Sequence, residues 1–277
     1  MSDEPLKLVS AGSVSLAAYA AAYTASFAGY FHPVAHDVAT LARRVRFEHY
    51  DLENSLLAYD ERGEVAGVAA LAARGARGWC AGLGVVPAQR GRGRGRELMS
   101  ALLERARSAG LRRLTLEVMA VNTSARRLYE WAGMRVTRDL LVMERPADFA
   151  PATPRRAPKG ADADELLAHY ARLHPEPPAW QRELPSLLAA ELRGLYVGGR
   201  ERPRAYALLG RGRDGATYVS DLAAADESGA DAMCAALARA PGALKVVNEP
   251  ERGPFAAPLL RRGFVEVIRQ HEMTMEL

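Results

Sequence analysis

The chain has 277 residues, 49% hydrophobic and 25% charged, which suffices for two units with separate cores and excludes wholesale disorder. Its net charge of +4 lies entirely in residues 1–150, where Arg90, Arg92, Arg94 and Arg96 alone equal the excess. The positive field is therefore local to one loop and suits one small anionic ligand, not a long nucleic acid. Cys80 and Cys234 have no CxxC spacing, which excludes a disulfide framework and a cysteine-based zinc site and fits a reducing, cytoplasmic setting.

Leu8 to His36 carries no charge, but its Ala, Ser, Thr, Gly and Tyr content argues against a signal peptide or membrane span, as do two acids against one Lys in Met1 to Lys7. A short strand at Leu6 to Val9 precedes an Ala-rich helix from about Ser13 and a second helix over Asp37 to Phe47. Ser55 to Tyr59, Glu64 to Leu71 and Gly78 to Val86 are short apolar or alternating runs that predict an antiparallel meander. Leu98, Met99, Leu102, Leu103 and Ala106 recur at helical spacing over Gly95 to Ala109, with Gly110 as the stop. A strand over Arg113 to Val118, a helix over Thr123 to Trp131 capped by Asn122, and a strand over Met134 to Glu144 complete the half.

RPADFAPATPRRAPKG follows, and its prolines prevent a continuous helix, so residues 147–160 read as a linker between domains at 1–146 and 161–277. The second half repeats the order roughly: strands at Leu192 to Val197, Arg204 to Leu209 and Thr217 to Leu222, a helix over Ala230 to Arg239 and a strand at Leu244 to Val247. Asn122, Gly133 and Arg138 can be laid beside Asn248, Gly263 and Arg269, which points to internal duplication.

The segment GVVPAQRGRGRGRELM sets Gly91, Gly93 and Gly95 between a strand end and an amphipathic helix. Glycines let successive amides point one way, and a helix N-terminus adds partial positive charge, so a phosphate can be held by backbone alone. A dinucleotide fingerprint fails because its third glycine position is Arg96, and a nucleotide-triphosphate loop fails because no Lys occurs between Lys7 and Lys159. A flexible Arg/Gly segment that binds RNA is the bland alternative, disfavoured by the strong periodicity on both sides.

With Arg90, Gly93 and Gly95 as the acyl-CoA loop, the chain resembles the GNAT acetyltransferases, from about residue 50 to 145. The likeness runs back through Leu83, Val85 and Pro87 and forward to NTSARRLYEWAGM, with Asn122, Ala125, Leu128, Tyr129 and Gly133 at family spacing. It implies an α+β fold of two GNAT-like domains, each a mixed, mostly antiparallel sheet flanked by helices. It also implies acetyl-CoA as cosubstrate and direct transfer to a primary amine of a small molecule or peptide. Cofactor-binding candidates by this resemblance are Leu83, Val85 and Val86 on the splayed strand, Arg90, Gly91, Arg92, Gly93, Arg94, Gly95 and Arg96 in the loop, and Asn122. Tyr129 matches the family tyrosine that protonates the CoA sulfur; packing of an aromatic ring in the core is its structural alternative. Glu117 matches the base of ribosomal-protein alanine acetyltransferases, acting directly or through water; a carboxylate there equally suits capping or pairing with an arginine. Asn122 also suits simple helix capping.

Tyr19, Tyr23, Phe27 and Tyr30 form an aromatic stripe that reads more readily as core than as an acceptor wall. His32 and His36 stand four apart, but Pro33 and the lack of a third ligand leave no metal assigned. In the second half the stretch Ala223 to Met233 has one Gly and no Arg, and Leu259 stands where Tyr129 precedes Gly133, so one acyl-CoA per chain is expected. The expected protein has no nucleic-acid or membrane partner and is a monomer or weak homodimer; a noncatalytic acyl-CoA sensor is the rival reading.

Overall fold

A computed structural model describes residues 4–31, 34–149, 159–212 and 215–277. It divides into two compact units, each built from discontinuous stretches: Met1–Val118, Asn122–Thr137 and Glu272–Leu277 in the first, Met119–Val121 and Arg138–His271 in the second. This differs from the contiguous domains expected at 1–146 and 161–277, because the strand after residue 134 divides between the units and the last six positions pack in the first. Most of the expected linker lies outside the described residues, and its end, Lys159 and Gly160, already belongs to a strand.

In the first unit β1 (Lys7–Ser10) is followed by α1 (Leu16–Ser26) and α2 (Val38–Glu48). Ser15 and Asp37 cap these helices by accepting from the amides of Ala18 and Thr40 at 3.1 and 2.7 Å. The meander is β2 (Leu56–Tyr59), β3 (Val65–Arg74) and β4 (Arg77–Val85), antiparallel throughout. Then come α3 (Arg94–Ser108), β5 (Arg113–Met119), α4 (Thr123–Trp131) and the start of β6 (Arg135–Arg145).

β3 is a near-continuous apolar run because α1 and α3 both pack on it, and its alanines admit both helices closely. Leu98, Met99 and Leu102 of α3 are fully buried, each contributing about 1.5–3 kcal/mol. Met273, Met275 and Leu277 join this same core, and the Leu277 amide donates to the Arg112 carbonyl at 2.9 Å.

In the second unit the rest of β6 is followed by β7 (Lys159–Asp162), short helices α5 (Ala163–Leu167), α6 (Tyr170–Leu173) and α7 (Leu184–Leu188), then β8 (Arg193–Gly198), β9 (Pro203–Arg211) and β10 (Thr217–Ala224). α8 (Glu227–Leu237), β11 (Leu244–Pro250), α9 (Ala256–Leu260) and β12 (Val265–Glu276) follow. β7 through β10 form a meander, β11 pairs parallel with β10, and β6 lies antiparallel to β11. Both units are thus mixed, mostly antiparallel sheets with flanking helices. The strand–strand–helix–strand–helix order recurs, as the duplication argument requires.

Candidate active site

β4 and β5 pair in parallel only over Arg77 to Trp79 and Arg113 to Thr115, yet β4 continues to Val85. Beyond Trp79 the two strands diverge and leave a fork with an open edge. Val86 donates its amide to the Ala66 carbonyl at 3.0 Å, so in an antiparallel pair the alternate residues Leu83 and Val85 direct their peptide groups to the open side. The Val86 amide, proposed from the resemblance as free, is therefore spent on β3. The Val85 carbonyl is also engaged: it accepts from Arg90 Nε at 2.9 Å.

Gly91 and Gly93 have φ of 77° and 81°, the left-handed region where glycine alone is comfortable, and a side chain at either would meet no atom within 4 Å. Conformation, not space, requires them. Gly93 is the N-cap of α3, and the first donors within the helix are the amides of Arg96 and Glu97, both to the Gly93 carbonyl. The amides of Arg94 and Gly95 therefore head the helix without an intrahelical acceptor, the arrangement that holds a phosphate. A side chain at Gly95 would come within 3.3 Å of Leu128, so its smallness lets α4 approach α3.

The four arginines of the loop do different things. Arg90 Nη2 donates to the carbonyls of Ala28 and Ser26 at 2.7 and 3.3 Å, so its guanidinium is committed to backbone and not to a ligand. Arg94 is buried and pairs with Glu97 at 3.0 Å, while Glu97 also accepts from the Leu6 amide; a phosphate-binding role for the Arg94 side chain is overturned by that burial. Arg92 is exposed beside the turn, and Arg96 lies over the Trp131 ring at 4.9 Å.

Tyr129 of α4 is buried, and no partner for its hydroxyl occurs among the described residues. Burial pushes its pKa well above the ordinary tyrosine range, with Cys80, Tyr30 and Tyr23 nearby adding to the rise, so the hydroxyl keeps its proton at neutral pH. Glu117, two residues past the last parallel pair on β5, accepts from Trp79 Nε1 at 2.8 Å; Trp79 is that last pair's residue on β4, so the carboxylate sits at the crotch of the fork. Cys80 is buried beside both residues, and burial pushes its thiol up to about 12, which leaves no thiolate nucleophile at neutral pH. Asn122 caps α4 by accepting from the Ala125 amide at 3.1 Å, and its side chain lies near the Tyr30 hydroxyl, whose pKa burial raises.

The aromatic stripe divides. Tyr19 and Tyr23 are core: Tyr23 donates to the Ala81 carbonyl at 3.0 Å, and its hydroxyl occupies the space a side chain at Gly82 would need. Phe27 stacks on Tyr23 at 4.9 Å and covers Gly84, while Tyr30 and exposed Phe31 continue outward edge to face at 5.5 and 5.3 Å. His36 Nε2 accepts from Arg44 Nη1 at 2.9 Å, and Arg44 pairs with Glu48 at 2.8 Å. Burial and then the Arg44 charge hold the His36 imidazolium down to about 4. His32 lies outside the described residues. Among those described, no cluster of three metal-ligating side chains occurs, and no helix is long and apolar enough to cross a membrane.

The sequence alone did not single out Trp79 or Arg44; for Trp79 the available signal was its place in the strand ahead of the loop.

The second unit has the same fork with different contents. β10 and β11 pair in parallel over Thr217 to Val219 and Leu244 to Val246, and then both run on. Buried Arg182 fills the opening, donating to the carbonyls of Leu222 and Asn248 at 2.9 and 3.3 Å and to Asp221 and Glu249 at 3.2 and 2.6 Å. At the head of α8 the Asp226 carboxylate accepts from the Gly229 amide at 2.7 Å, which puts a fixed negative charge where α3 offers bare amides. Leu259 does take the place of Tyr129: the amide after each turn glycine, Met134 or Phe264, returns to the carbonyl of Tyr129 or Leu259. Asn248 registers with Glu117 and not with Asn122, since each stands two residues past its last parallel pair.

The profile of the Acetyltransferase (GNAT) family matches residues 19–134. No curated protein sequence matches the chain. Among solved structures, a GCN5-related N-acetyltransferase from Sphaerobacter thermophilus superposes with a TM-score of 0.71 at 19% identity, covering 99% of this chain and 96% of that one. A tandem GNAT protein from the clavulanic acid biosynthesis pathway superposes with a TM-score of 0.70 at 17% identity, covering 98% of each chain. The fork, the glycine turn and the repeated sheet agree with these matches: residues 19–134 match the GNAT family, and the chain has the fold of tandem GNAT proteins.

Proposed function

We propose that the first unit transfers an acetyl group from acetyl-CoA directly to a primary amine. The observation that carries this reading is the open edge of β4 followed, after one 3-10 turn at Pro87–Gln89, by the left-handed glycine turn at the head of α3. The amides of Arg94 and Gly95 suit the diphosphate, with Arg92 and Arg96 at its flank, and the peptide groups on the free side of β4 at Leu83 suit the pantetheine arm. The amine nitrogen attacks the thioester carbonyl, a C–N bond forms and the C–S bond breaks. Glu117, directly or through water, takes the proton that the amine loses, and Tyr129 gives its proton to the departing sulfur. The buried, protonated Cys80 supports direct transfer over an acyl-cysteine intermediate. Asn122 acts as a helix cap that also orients Tyr30.

The second unit binds no second acyl-CoA, since Arg182 and Asp226 occupy the places such a ligand would need. The direct experiment is thiol release from acetyl-CoA by the full chain across a panel of small amines and peptide N-termini. Release dependent on an amine supports the enzyme; CoA binding without release under any amine leaves a binding module instead. Glu117→Gln is expected to remove the acidic limb of the pH–rate profile, and an unshifted profile assigns the base elsewhere.

A further inference from the structure

Helix α1 ends without a basic residue in its own last turn, although its final carbonyls lack intrahelical donors and carry the negative end of the dipole. The charge comes from elsewhere in the chain. Arg90, which opens the glycine loop, sends one guanidinium nitrogen to the carbonyls of Ala28 and Ser26 at 2.7 and 3.3 Å and another to the Val85 carbonyl at 2.9 Å. One planar group thus joins three elements: the loop, the outer end of β4 and the end of α1. Ser26 and Phe27 press against Gly84 so closely that a side chain there would lie within 3.0 Å of both. Past Phe27 the aromatic series runs out through Tyr30 to exposed Phe31, and Tyr30 meets Asn122.

We propose that Arg90 is a positioning residue that transmits occupancy of the glycine loop to the end of α1, so that cofactor binding sets the Phe27–Tyr30–Phe31 wall on the acceptor side. The proposal rests on the acyl-CoA reading of the loop. A diphosphate on the first amides of α3 would lock the turn at Gly91 and Gly93, and the residue immediately before that turn is the one that grips α1. Because coupling between sites is reciprocal, an acceptor seated against the wall tightens the cofactor by the same factor, about fivefold for one exposed guanidinium strap. Arginine is needed because its fork reaches carbonyls in two directions at once, which a lysine ammonium cannot do.

The test is residue-resolved amide hydrogen exchange of the full chain with and without coenzyme A, for the wild type, Arg90→Gln and Arg90→Lys, each first checked for an unchanged melting temperature. In the wild type, coenzyme A slows exchange both at Gly91 to Glu97 and at Phe27, Ala28 and Tyr30, whose amides bond only within the α1 end. In both variants the loop is still protected and the α1 end is not. Equal protection of the α1 end in the variants, or none there in a wild type whose loop responds, overturns the strap while sparing the acyl-CoA reading. A wild-type loop indifferent to coenzyme A overturns both.

Discussion

Tyr129→Phe removes one oxygen from a residue otherwise held by packing, and the structure allows its effects to be separated. The ring lies in the core with Leu98, Leu102 and Leu116, so the phenylalanine keeps those contacts. The hydroxyl has no partner among the described residues, so its loss breaks no protein hydrogen bond and should shift stability by less than about 1 kcal/mol. Catalysis is different. A departing thiol of ordinary acidity, with a pKa of about 8.5, is disfavoured as the bare thiolate at pH 7 by about 2 kcal/mol, or roughly thirtyfold in rate. General acids contribute up to about 10⁴-fold, so a thirtyfold loss is the lower bound. The assay is steady-state thiol release with a saturating amine, beside calorimetric affinity for acetyl-CoA and a melting curve. The expected pattern is kcat reduced at least thirtyfold with affinity and melting nearly unchanged. An undiminished kcat would refute the acid role, and a parallel loss of affinity would show that the hydroxyl binds and does not donate.

Gly93→Ala introduces no clash but forces an L-residue to hold φ of 81°, at about 1–2 kcal/mol; acetyl-CoA affinity should fall about tenfold, and an unaltered affinity by calorimetry would remove the turn from the site. Met273→Ala, at a fully buried position in the first unit's core, should cost about 2–5 kcal/mol in denaturant unfolding and lower thiol release at temperatures near the melting transition; a change under 1 kcal/mol would show that this strand adds little. His36 has its folded pKa depressed to about 4 from an ordinary 6.5, so its stabilising contribution is complete above pH 6.5 and is lost as pH falls towards 4. Melting temperatures should therefore drop less over that interval in His36→Gln than in the wild type, and equal slopes would exclude His36 as the cause.

Local chemistry was legible wherever it is written in contiguous residues. The helix over Thr123 to Trp131 was read to the residue, because Asn122 is a strong cap and the amphipathic spacing is unambiguous. The glycine turn was equally readable, since few sequences other than a left-handed bend need glycine at alternate positions. What the alternation of Arg and Gly could not reveal is where each guanidinium goes: Arg90 turns back to the end of α1, more than sixty residues earlier, while Arg94 turns inward to Glu97 one turn along its own helix. Short helices such as α5, α6 and α7 were missed because four or five residues carry no periodicity. The domain boundary misled for a related reason. Proline-rich composition marks where the chain cannot be helical, but it says nothing about which core receives the strands on either side.

The placement of residues 272–277 bears on how this protein is made. A ribosome releases Met1 to Thr137 long before it reaches Met273, so the nascent first unit waits with the edge of β5 that β12 later occupies unpaired and a gap among its core side chains. Such an edge invites pairing with other strands, and a chaperone or rapid completion of synthesis would guard against it. The same arrangement ties the strand that carries Glu117 to residues far along the chain: a substitution at Met273, though it touches none of the groups proposed to react, would loosen the edge on which β5 rests.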